Sequence, residues 1–218
     1  MSCIGGFDVI NQKMKYGYLD DKCLEDYKPH GVELVQYYND HIETVAELLG
    51  VNNNKVTRGI FILLEQGNGA GYSNLDKKIT YRFQNKDDIL HDKGRIIHEG
   101  AHVVQNYPDG ITFGHPCWCW MEGLADYCRA YIDKEFNLEE GLKGNAMDLG
   151  YKDNAHLLTW LHDKFRDKNI IHRLQEIIYN ETNNFMNSHD VLEQLINEPP
   201  IYVLRDYYEE NKNKFITN

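Results

Sequence analysis

Residues 31–49, GVELVQYYNDHIETVAELL, set Val32, Val35, Ile42, Val45, Leu48 and Leu49 at helical intervals. The spacing predicts an amphipathic helix, stopped by Gly50 and the asparagines at 52–54. The pattern then changes. Residues 56–64, VTRGIFILL, are a β-branched and apolar run that reads as a buried strand. GNGAGYSN (67–74) carries the residues of turns. In Lys78–Phe83, Ile79, Tyr81 and Phe83 alternate onto one face, as in a half-exposed strand. Helical spacing returns over 92–106, with Pro108 at its exit, and resumes over 118–136 after a loop bearing Gly110, Gly114 and Pro116. From 152 to 213 nearly everything reads as helix: NAHLLTWLHDKF, IIHRLQEIIY, HDVLEQLI capped by Ser188, and a last segment after Pro199-Pro200. Strands early and helices late predict an α+β fold. No repeat, low-complexity tract or linker interrupts the chain. The expectation is one domain over 1–218, with a sheet-bearing part at about 30–110 and a helical part at about 117–215.

Charge narrows the partners. The 218 residues carry 23 Lys and Arg against 34 Asp and Glu, a net charge of −11. A phosphate backbone or an anionic membrane needs a basic surface, so neither is an expected partner. No apolar stretch reaches the length of a membrane span. The N-terminal residues MSCIGGFDVINQKMKYGY lack a basic segment followed by an apolar run, so no signal peptide is expected and a cytoplasmic location is, unless a leader has been removed. The five cysteines are an odd number without a disulfide framework, which predicts reduced thiols. Trp118, Trp120 and Trp160 are expected in the core.

The chemistry concentrates in His98-Glu99-Gly100-Ala101-His102, an HExxH run inside a predicted helix. A spacing of four puts both imidazoles on one helix face, one turn apart. Two neutral imidazoles so placed can hold Zn²⁺, with Glu99 beside the metal as a base for bound water. The flanks Ile96, Ile97, Val103 and Val104 are apolar, as a buried helix requires. Glu122, twenty positions after His102 on the next predicted helix, offers a third ligand oxygen. Asp126, four residues on, shares its face and can hold a ligand imidazole by its other nitrogen. Gly123 between them predicts close approach of another element. Hydrolysis at such a site also needs a group to stabilise an oxyanion. Tyr151, at the start of the GYKDNAHLL helix, is the expected one, with His156 and His115 as alternatives. Three rival readings remain: a catalytically silent zinc-binding domain that holds a peptide, a separate metal cluster at His115, Cys117 and Cys119, and a plain helical interaction module in which the HExxH run is accidental.

HExxH, then this glutamate, then an aspartate four further on resembles the gluzincin metallopeptidases. The chain most resembles the basic secretory protein family, a group of gluzincin-like peptidases. Its pattern is met here as GAGYSNLDKKITYRF (69–83), IIHEGAHVVQ (96–105), WMEGLADYCRAY (120–131), GYKDNAHLLTWLHDKF (150–165), IIHRLQEI (170–177) and YVLRDYYEEN (202–211). The resemblance implies a zincin-like fold, with a small N-terminal mixed sheet, an active-site helix and a helical C-terminal part. It implies zinc on His98, His102 and Glu122, Glu99 as general base, and a peptide or protein as substrate. It also implies that KITYRF is the edge strand on which a substrate backbone would pair. The acidic charge departs from the family's name.

Overall fold

The computed structural model describes residues 4–8, 13–15, 21–52, 61–66, 72–74, 78–107, 115–144, 151–167, 169–181 and 186–215. The expected turn at 67–71 and the loop glycines Gly110 and Gly114 lie outside them. The chain divides into two compact units, Met1–Glu47 with Val51–Asn106, and Leu48–Gly50 with Tyr107–Asn218. Strands and helices together bear out a helix-rich α+β class.

The first unit holds β1 (Ile4–Asp8), β2 (Lys13–Lys15), β3 (Phe61–Gln66), β4 (Tyr72–Asn74) and β5 (Lys78–Phe83). They form one mixed sheet in the order β2-β1-β3-β5-β4. Strands β3 and β5 run parallel, Phe61 opposite Lys78 and Gln66 opposite Phe83, and all other pairs are antiparallel. The short β1 and β2 have too few alternating positions to stand out in the sequence. KITYRF is not the margin of this sheet: β4 covers Lys78–Thr80 and is itself the edge. Nor is the strand half-exposed. Ile79, Thr80, Tyr81 and Phe83 are all buried, so both faces are covered. Side-chain alternation says nothing about the backbone neighbour, so the edge position that the resemblance implies has no local signal to check it.

Helix α1 spans Asp21–Leu49, ten residues longer at its start than the periodicity predicts, and contains Pro29. Its buried face in this unit is Leu34, Tyr38, Ile42 and Val45, whereas Val32 is exposed. Helix α2 (Lys86–His91) is capped by Asn85, with Asp88 completing a capping box. Helix α3 (Arg95–Gln105) carries the HExxH run. Its start is tied to β5: the Tyr81 hydroxyl donates to the carbonyl of Asp92 at 2.7 Å, and Arg95 donates to the carbonyl of Arg82 at 3.1 Å. Arg95 also pairs with Asp92 and lies over the Tyr81 ring. Ile96, Ile97, Ala101 and Val104 are buried, as their apolar character predicts.

The second unit is helical: α4 (Trp118–Ile132), α5 (Tyr151–Phe165), α6 (Ile170–Glu181), α7 (Ser188–Ile196) and α8 (Pro200–Asn211), then a 3₁₀ turn at Lys212–Lys214. Helices α4 and α5 meet at Gly123, where a Cβ would fall 2.5 Å from the Cβ of Asn154. The predicted close approach is therefore real. Trp120 is fully buried and donates to the carbonyl of Ser188 at 3.1 Å. Helix α7 is capped by Asn187 rather than Ser188. The Asn187 side chain accepts from the backbone of His189 and Asp190, while the Ser188 hydroxyl donates to the carbonyl of Pro116. Either residue type can cap, and the tertiary bond to Pro116 draws the serine away. Pro200 occupies the first turn of α8, where its missing N–H costs nothing. No helix among the described residues is long and apolar enough to cross a membrane.

Candidate metal centre

One turn of α3 builds the centre's first half. His98 is buried and His102 half-buried, and their Nε2 atoms lie 3.1 Å apart. The rings meet edge to face, with centroids 4.8 Å apart. Two nitrogens that share a tetrahedral zinc, each about 2.0–2.1 Å from it, stand about 3.3 Å from one another. The pair is thus set at nearly the separation a single ion demands, by helix geometry alone. His102 Nδ1 lies 2.8 Å from Oε1 of Gln105. Glu99 follows His98 on the flank of the same face and is buried.

The third donor is on α4. Glu122 and Asp126 are both buried, one turn apart, so neither belongs to a solvated helix face. One ligand atom each from His98, His102 and Glu122 lies within 4.8 Å of the others. This buried group could hold a metal ion. Two imidazoles and a carboxylate are the donor set that borderline divalent ions accept, unlike the all-oxygen shells of Mg²⁺ and Ca²⁺.

The other candidate side chains have surroundings of their own. Tyr151 opens α5 in the left-handed region (φ 49°), is 46% exposed, and sets its ring edge against Trp118 at 5.3 Å. His156 is buried, and its Nδ1 lies within hydrogen-bond reach of the Tyr207 hydroxyl at 2.9 Å. Burial pushes the Tyr207 phenol far above its usual range, so the hydroxyl keeps its proton. Burial and, after it, Lys214 hold the His156 imidazole below its ordinary value, against the opposing pull of Glu139 and Asp153. His115 accepts from the backbone N–H of Cys117 at 3.1 Å, and burial lowers its pKa. Cys119 lies against Ser188 and the carbonyl of Pro116. Cys117, Cys119 and Cys128 are buried, and burial drives Cys128 far from thiolate formation. Among the described residues, His115, Cys117 and Cys119 form no second metal group.

The site residue that the sequence reading missed is Gln105. It stands three positions after His102, and the i, i+3 rule for helix neighbours was signal enough to find it. Comparison with protein-family models, with curated proteins and with solved structures finds no match to this chain.

Proposed function

We propose that this chain is a zinc-dependent metallopeptidase of the gluzincin kind, related to the basic secretory protein family and built on a zincin-like fold. The observation that carries the reading is the buried group of His98, His102 and Glu122 with Glu99 next to the first of them. A site that only held structure together would more often be closed by four Cys or His ligands and has no use for an adjoining glutamate. Bound there, zinc would lower the pKa of a coordinated water to about 7 and polarise a substrate carbonyl. The chain's own groups do the rest. His98, His102 and Glu122 hold the ion with one negative charge among them. The carboxylate of Glu99 takes a proton from the attacking water and returns it to the departing amine. Tyr151 is the proposed donor to the oxyanion, and its place at the head of a helix leaves its phenol exposed for that task. Asp126 is proposed to orient the ligand shell from one turn beyond Glu122. The substrate is a peptide or protein, and the absence of an exopeptidase signature favours cleavage within chains.

The test is a Glu99→Gln variant, loaded with zinc beside the wild type and given a peptide library. The expected result is stoichiometric zinc in both proteins and cleavage by the wild type alone. Full cleavage by Glu99→Gln overturns the mechanism. Zinc retained by a wild type that cleaves nothing would instead identify a silent zinc-binding domain.

A further inference from the structure

Gln105 closes α3 and is only 2% exposed. A glutamine at a helix end ordinarily turns its amide to water, and enclosing it is costly unless the amide finds partners. Its oxygen can only accept. At 2.8 Å from that oxygen, His102 Nδ1 must therefore be the donor, and His102 Nε2 keeps its lone pair. This lone pair faces His98 Nε2 across 3.1 Å. That separation is close to the one at which two imidazoles share a single ion.

We infer that Gln105 is a positioning residue that fixes His102 in the metal-ready tautomer. The inference rests on the metal reading above. The choice of an amide has its own consequence. It orients the ring as a carboxylate would, yet adds no negative charge, so Glu122 remains the only anionic ligand and the ion keeps more of its Lewis acidity.

The experiment uses ¹⁵N-histidine spectra of the full chain, metal-free and zinc-loaded, with zinc affinity from competition against a chromophoric chelator. In the wild type, His102 is expected as the Nδ1–H tautomer in both states. Gln105→Met keeps the volume and removes the acceptor. It is expected to mix the His102 tautomers in metal-free protein and to bind zinc about 10- to 100-fold more weakly. Gln105→Glu restores an acceptor and is expected to hold zinc at least as tightly as the wild type. If glutamine served packing alone, Gln105→Glu would weaken binding and Gln105→Met would not. An Nε2–H His102 in the metal-free wild type overturns the inference, as does unchanged affinity and tautomer in Gln105→Met. Should Gln105→Met fail to fold, the wild-type spectra and Gln105→Glu still decide. Failure to cleave peptides leaves these readouts intact, and failure to take up zinc sinks the metal reading while the metal-free spectrum still judges Gln105.

Discussion

Gly100 turns its bare Cα toward the ring of Tyr38: a Cβ at Gly100 would fall 2.8 Å from Tyr38 Cε2 and 3.1 Å from Ile42 Cδ1. On α3, position 100 lies opposite the face shared by His98 and His102. The contact therefore backs the histidine face, and α1 sets how far α3 can move. Gly100→Ala gains helix propensity but must push a fully buried tyrosine aside, at a cost of about 1–3 kcal/mol. The expected outcome is a lower urea midpoint together with weaker zinc binding. Adding Tyr38→Leu should recover both in part. A Gly100→Ala protein as stable as the wild type would show that the two helices have slack.

The same tyrosine predicts a gain. Its hydroxyl is buried and meets no hydrogen-bond partner among the described residues. Burial drives its pKa far above the usual phenol range, so the group stays neutral. An unpaired buried hydroxyl costs about 1–3 kcal/mol of lost hydration. Tyr38→Phe removes it with little change in shape and is expected to raise stability by about 1 kcal/mol, measured from urea unfolding at constant slope. A clear loss of stability would mean that the hydroxyl has a partner after all.

Metal should act on stability as well as on catalysis. An ion bound only by the folded chain stabilises it by about 2.7 kcal/mol at a free concentration 100 times its Kd. Zinc is expected to raise the thermal midpoint of the wild type, and a chelator to reverse the rise. His98→Ala and His102→Ala should abolish the response. A zinc-induced rise that survives both substitutions would place the ion elsewhere.

His156 predicts a pH dependence. Its folded pKa lies below the ordinary 6.5, so the unfolded chain binds more protons over the interval between the two values. Stability is then fully present above pH 6.5 and falls as the pH drops toward the folded value. Protonation would place a charge beside the Tyr207 hydroxyl, with Lys214 repelling it and Glu139 and Asp153 attracting it. His115, lowered by burial, adds to the same slope. The carboxylates of Glu139, Asp167, Asp206 and Glu210 are held low by Lys and Arg partners and, for Glu210, first by the Trp160 N–H. Their contributions are present above about pH 4.5 and are lost below it, outside the histidine window. Urea midpoints between pH 7 and 5 should fall in the wild type and fall less in His156→Gln. Equal slopes in the two proteins would remove His156 from the account.

The chain's helices were legible where one apolar face repeats, as in α3 and α4, because the period of a helix is set within a few residues. Helix α2 is also within reach of the sequence, because Asn85 and Asp88 form a capping box that can be read directly. The cap of α7 was one residue off because Ser188 and Asn187 compete locally and Pro116, 72 positions away, settles the choice.

The sequence by itself determined the pairing of His98 with His102 and the reach of Gln105, since both follow from the rise and turn of one helix. It determined nothing about which strand would neighbour KITYRF, which ring would back Gly100, or that Tyr207, 51 positions on, would hold His156. Those were decided by tertiary packing. The physical reason is the range of the forces that encode each feature. Backbone hydrogen bonding within a helix is fixed by neighbours in the chain, whereas partners across the fold are chosen by burial, and many residue types satisfy burial equally well.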